Sequence, residues 1–289
     1  MRLLSVGLWA LMLILANVSP SVAKDRIVLW RSNYLTESNL AFIQLAAELT
    51  RAEYGDYEIV PSEALEQGRA FANINKPNDI NVIISGIDLD REEETSPIYI
   101  PLDRGLTGFR VCLVTKGSES IFNDINTLRD FRRHKMYIGV GAHWPDKDIM
   151  SFNRLPVTTS PITEDLYSML EMHRFDCFSR SIKEVTENLK AHPDNEIVIE
   201  KNVAFIYPLA DFIYVSKAEI KLKERLEKGL ELAINNGQFY ELFKKYYKDS
   251  LREHDLYGRK LFFLKNNNMS EQARAAINKY GIASFSEHY

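Results

Sequence analysis

The 289-residue sequence is poor in the signatures by which most enzymes and nucleic-acid binders are known. Its six histidines are scattered and form no HExxH pair, and neither a GxSxG elbow nor a P-loop occurs. These absences weigh against zinc hydrolases, α/β-hydrolases and P-loop enzymes, though only weakly, because catalytic groups also converge from distant positions. No basic block is present and the formal charge is −4, a poor basis for gripping nucleic acid or anionic lipid. Cysteine is almost lacking. Cys112 and Cys177 stand in neither a CxxC nor a metal-ligand spacing, so neither redox catalysis nor a zinc site is expected. Either they form one disulfide or they are two buried small hydrophobes, and the residues alone leave both readings open. No cofactor is implied.

Long apolar runs are missing too, with one exception at the start. Arg2 is followed by a nearly unbroken apolar stretch over residues 3–16, and Ser21-Val22-Ala23 places small residues at the two positions that direct cleavage. This is the pattern of an export signal over residues 1–23. An uncleaved anchor is the alternative, but the run falls short of the ~20 residues a spanning helix needs. No cysteine stands at the cleavage point to make a lipoprotein. Losing Arg2 takes the formal charge from −4 to −5. The expected product is a soluble protein in an oxidising compartment.

What is present is alternation. Residues 26–30, 57–60 and 80–84 have the short, β-branched texture of strands. Residues 37–54 and 62–74 between them carry helical spacing, with Gly55 as a stop for the first helix and Pro61 near the start of the second. The order βαβαβ with short links implies a parallel sheet covered on both faces. The pattern repeats with strands at 136–140, 175–178 and 196–199 and helices at 164–173 and 181–190. Two extended passages join the halves, residues 106–114 and the pair 204–207 and 212–215. The expected fold is α/β, with two Rossmann-like lobes and a double-strand hinge. Toward the C-terminus, Leu222, Leu226, Leu230 and Ala233 mark a helix that stops at Asn235-Asn236-Gly237, and residues 239–247 begin an aromatic-rich one.

Four passages then resemble the bacterial extracellular solute-binding proteins of family 3. They are DINVIISG (79–86), LRDF (128–131) with MYIGVG (136–141), LYSMLEMHRFD (166–176), and the tail from KGL (228–230) through NGQF (236–239) to Tyr246-Tyr247. Their order and spacing carry the likeness across nearly all of the chain after the signal. The resemblance implies the type II periplasmic-binding-protein fold, with residues 24–110 and 211–289 in lobe 1 and 111–210 in lobe 2. It implies a monomer in the periplasm that binds a small polar solute, an amino acid or related organic ion, for ABC-type transport through an inner-membrane permease. The alternative is a sensory or scaffold module of the same fold. It also implies that the strands carrying Cys112 and Cys177 are neighbours, which favours the disulfide. The chain departs from the family where amino-acid binders carry Thr-x-x-Arg. Here the text is Ile87-Asp88-Leu89-Asp90-Arg91, with an acid in place of the threonine, and YIPLDRG (99–105) replaces the usual FSxPY phrase. Both departures count against an ordinary α-amino acid.

Candidate ligand contacts follow from the cleft-facing ends of the strands. Trp30 and Tyr34 lie beyond the first strand beside Arg31, where an aromatic can stack and a guanidinium can grip a carboxylate. His143 and Trp144, with Asp146, follow the GVG strand end, in a loop that leads into a helix and so offers free backbone N–H groups to an anion. Asp176 and Arg180 flank a short strand. Arg91 and Arg104 complete the set. For each there is a plainer role: core packing for Trp30, helix capping for Asp146, satisfaction of backbone donors for Asp176.

Overall fold

The computed structural model describes residues 24–285 apart from residue 78. The expected export signal, residues 1–23, lies outside the described residues. Among those described, the strands in chain order are β1 (Asp25–Leu29), β2 (Tyr57–Pro61), β3 (Val82–Gly86), β4 (Ser96–Ile98), β5 (Phe109–Thr115) and β6 (Ile138–Gly141). They continue as β7 (Val157–Ser160), β8 (Cys177–Ser181), β9 (Ile197–Ile199), β10 (Val203–Ile206), β11 (Asp211–Val215) and β12 (Lys260–Phe263).

Two sheets result. The first has the order β2-β1-β3-β11-β4, with β1 parallel to β2 and β3, and β11 antiparallel to β3 and β4. The second runs β12-β10-β5-β8-β6-β7, with β9 beside β5. Every residue of β3 and of β8 is buried, as expected of strands covered by helices on both faces. The sheets therefore belong to two lobes, as the repeated pattern suggested.

Several elements are shorter than their hydrophobic pattern, each for a local polar reason. The helix expected over 37–54 breaks at Thr50, leaving Glu37–Leu49 and Arg51–Tyr54. The Thr50 hydroxyl donates to the carbonyls of Ala46 (2.9 Å) and Ala47 (3.1 Å), in the manner of a Ser/Thr that competes with the helix. The helix expected over 62–74 forms only at Gln67–Asn73. Ser62 accepts from the Arg31 amide and donates to the Glu63 carbonyl, and the Leu65 carbonyl accepts from Trp30 Nε1 at 2.9 Å, so this run is held as a loop.

Helix Ile220–Asn235 packs its buried Leu222, Leu226, Leu230 and Ala233 against helix Glu37–Leu49. The backbones meet at Gly229, where a Cβ would lie 2.0 Å from the Ala46 carbonyl oxygen. Fully buried Arg225 pairs with Asp25 at 2.7 Å and donates to the carbonyls of Ala47 and Gly55.

Two passages make the hinge, residues 99–108 and 207–210. They are hydrogen-bonded to each other through Tyr207 N to Gly108 O (3.1 Å) and Leu102 N to Asp211 O (2.9 Å). Asp103, fully buried, binds the amides of Gly105, Thr107 and Asp211 with its two oxygens. It staples the crossing in place.

The assignment of all of 211–289 to lobe 1 needs correction. Strand β12 pairs in parallel with β10 in the second sheet, because its inward Phe262 completes an aromatic cluster with Phe131 and Phe205. The chain then returns to lobe 1, where Ser270 bonds Glu92 and helix Glu271–Tyr280 follows. Four passages rather than two therefore run between the lobes. Cys112 and Cys177 are joined in a disulfide between β5 and β8.

Candidate ligand-binding site

Between the lobes lies a cavity of about 430 Å³, within the usual size range of small-ligand sites. Lobe 1 lines it with Trp30 at the end of β1 and with Asn33 and Asn39 from the helical turns that follow; lobe 2 adds Trp144 and Arg180. This is the location that the chain's topology dictates, outside the carboxyl ends of parallel strands.

The floor is a buried charge cluster. Arg110, on β5, pairs with Asp146 at 2.7 Å and approaches Glu184 at 3.5 Å. Tyr207, from the hinge, donates its hydroxyl to Asp146 at 2.5 Å. Lys183 is hydrogen-bonded to Asp211 and lies 3.5 Å from Asp103. Burial opposes the charge on Glu184, but Arg180, Arg110 and Lys183 outweigh it and hold the carboxyl below its ordinary value. Burial likewise works against the Lys183 ammonium, while Asp211 and Asp103 more than reverse it and keep the pKa raised. Burial pushes Asp211 upward in spite of Lys183.

Arg180 is placed by this cluster and not consumed by it. Its Nε donates to Asn188 at 2.8 Å, and its Nη2 lies 3.3 Å from Glu184. Its guanidinium carbon sits 4.9 Å from the centre of the Trp144 ring. Among the described residues Nη1 has no hydrogen-bond partner, although only 6% of Arg180 is exposed. Asn39, 8% exposed and also lining the cavity from lobe 1, has an amide without a hydrogen-bond partner among the described residues. The arrangement can bind a polar solute with a fixed guanidinium on one side, an amide on the other and indoles at both lobes. Among the described residues no group of three His, Cys, Asp or Glu is placed to hold a metal ion.

Of the candidates read from the sequence, Trp30, Trp144 and Arg180 line the cavity and Asp146 lies in its floor. The other six lie elsewhere, Arg31 as an exposed side chain. Tyr34 packs half-buried against the lobe 1 core. Arg104 points away from the cleft, donating to the carbonyls of Tyr280 and Gly281 and stacking on Tyr240 and Phe243. Asp176 accepts from the Tyr137 amide at 2.8 Å at the far end of β8, the plainer role considered for it. Arg91 is buried beside the cavity with every N–H engaged, so it has nothing left for a ligand carboxylate. The His143 ring lies over Gly68 of the other lobe.

Arg110, Lys183, Glu184 and Asp211 were missed as site residues. For Arg110 a signal existed: it is the one charge in the apolar run 108–114, and a charge inside a buried strand requires a partner. For the other three the signal lies in the tertiary arrangement.

No protein-family model and no curated protein sequence matches this chain. Solved structures do. An arginine-binding protein variant from T. maritima is 17% identical, with a TM-score of 0.53 over 78% of this chain and 96% of that one. A periplasmic binding protein from Salmonella typhimurium with high arginine specificity is 10% identical, with a TM-score of 0.55 over 77% and 99%. A histidine kinase sensor domain with similarity to periplasmic binding proteins is 11% identical, with a TM-score of 0.56 over 78% and 96%. The chain has the type II periplasmic-binding-protein fold. In that fold the interlobe cavity is the cleft between two hinged α/β bodies, which here are joined by the hinge at Asp103 and by the two additional C-terminal passages. At these identities the likeness speaks to the fold and leaves the solute open.

Proposed function

We propose that the chain is an exported solute-binding protein that takes a small polar solute, an amino acid or related organic ion, into the interlobe cavity and catalyses nothing. The observation that carries this reading is the partly satisfied Arg180, fixed by Glu184 and Asn188 and stacked on Trp144, with an unpartnered Nη1 in a cavity of about 430 Å³. A solute bridging Arg180 and Asn39 would touch both lobes and so favour the closed form. The arginine-binding neighbours support a charged polar solute. The expected location is the periplasm and the expected state a monomer that presents its closed form to an inner-membrane permease.

A thermal-shift screen of amino acids, organic acids, polyamines and short peptides tests this. A true solute at about 100 times its Kd adds about 2.7 kcal/mol of stability. A screen with no shift, or turnover of any compound that stops on changing a cavity residue, overturns it. The sensor-domain neighbour supports a second reading, in which the closed form signals to a membrane receptor. A permease and ATPase encoded beside the gene favour transport; a kinase or cyclase favours sensing.

A further inference from the structure

The resemblance sets Arg91 against the arginine of the Thr-x-x-Arg step, yet in the structure it is spent on the protein itself. Its Nε pairs with Asp88 at 2.7 Å; Nη1 donates to Ser85 Oγ (2.9 Å) and the Gly86 carbonyl (2.7 Å); Nη2 donates to Gln67 Oε1 (2.8 Å). The last bond, from Nη2 to the His143 carbonyl, crosses to lobe 2. The guanidinium is 6% exposed and stacks 4.4 Å from Phe71. Three further contacts cross the same gap. The His143 ring fills the space over Gly68, where a Cβ would lie 2.7 Å from its Cδ2. Pro145 lies against Gly86, 3.4 Å from where a Cβ would stand. Lys183 of lobe 2 binds Asp211 at the start of a lobe 1 strand.

We propose that Arg91 and the His143 loop form an interlobe latch that holds the cleft shut without any solute. A ligand-driven clamp needs the solute to supply the contacts across the gap; here the protein supplies them itself, through a charge-assisted hydrogen bond from a buried arginine. Closed is then the resting state, and the solute enters during openings in which the Arg91–His143 bond breaks. The reading of a solute site in the cleft is the ground on which this rests. Its kinetic consequence is an association rate set by the fraction of molecules open to entry.

The mature chain, residues 24–289, tests the latch. It is unfolded in guanidinium without reductant, dialysed to strip any carried solute and refolded, and its small-angle X-ray scattering is recorded. The stripped protein is expected to scatter as the closed structure does. Gly68→Val, which drives a side chain into the His143 ring and does not line the cavity, is expected to raise the radius of gyration. Adding His143→Ala makes room and is expected to restore the closed profile. An expanded profile for the stripped unmodified chain overturns the latch whether or not the variants fold. A stripped chain that opens yet gives a hit in the thermal-shift screen sinks the latch alone; one that stays closed while no compound shifts it sinks the solute reading alone.

Discussion

Arg110 Nη2 lies 2.7 Å from Asp146 Oδ1, and neither side chain is more than 4% exposed. Such a pair is held by mutual need: each charge is tolerable inside the protein only because the other is there. Asp146→Ala strands the guanidinium, and the expected loss of stability is about 3–5 kcal/mol. The double variant Arg110→Met with Asp146→Ala should lose less than the single one, because no unpaired charge remains. Urea unfolding midpoints of the three chains check the order.

The disulfide between Cys112 and Cys177 spans a sequence separation of 65 residues. Loop entropy in the unfolded chain puts its contribution at about 4 kcal/mol. The double Cys→Ala variant should therefore unfold at clearly lower guanidinium concentration. Intact mass after alkylation, with and without reductant, verifies that the bond is present in the unmodified protein.

For any solute found in the screen, Arg180→Gln should weaken binding by roughly tenfold to a hundredfold, the loss expected when a hydrogen bond to a charged group disappears. Arg104→Gln should leave affinity unchanged, since that side chain is committed to the carbonyls of Tyr280 and Gly281. Isothermal titration of both variants makes the comparison. Equal effects would mean that the cavity is not where the solute binds.

Gly229→Ala should destabilise lobe 1 by about 1–3 kcal/mol, the cost of overpacking, although alanine is the better helix former. Its methyl would stand 2.0 Å from the Ala46 carbonyl oxygen. A lower unfolding midpoint with unchanged far-ultraviolet circular dichroism is the expected result.

Two groups give opposite pH dependences. Glu184 titrates below its ordinary value, so its stabilising effect is present above the unfolded carboxylate pKa and is lost as pH falls through the folded one. His192 Nε2 donates to Glu164 at 2.8 Å, and the ring stacks on Tyr167. Burial tends to lower its pKa, but Glu164 and the Asn188 carbonyl more than offset this and the value is raised. Its contribution is present below the unfolded imidazole value of about 6.5 and lost as pH rises through the folded one. Glu164→Gln should lower the melting temperature below about pH 6.5, where the pair is charged, and leave it unchanged above the folded imidazole value.

The two-lobed plan was legible because it is written in hydrophobic period, and period survives in a single sequence. β3 and β8 differ from their expected spans by two or three residues at each end, and the helices expected over 37–54 and 62–74 are cut short by Thr50 and Ser62, side chains that act locally. The site was half legible. Trp30, Trp144 and Arg180 are displayed at strand ends, where topology alone predicts exposure to the cleft. Arg91 misled because a familiar position was read without its neighbours: Asp88, Gln67 and the His143 carbonyl come together only in the folded chain. The return of residues 260–263 to lobe 2 was illegible for the same reason, since KLFF carries no sign of which sheet it joins.

The placement of β12 has a bearing on biosynthesis. The second sheet takes its outermost strand from a segment 57 positions beyond the strand it pairs with. Its ladder therefore stays incomplete until residues 260–263 have been synthesised, and a nascent chain stalled before that point exposes Phe131 and Phe205 without Phe262 to cover them.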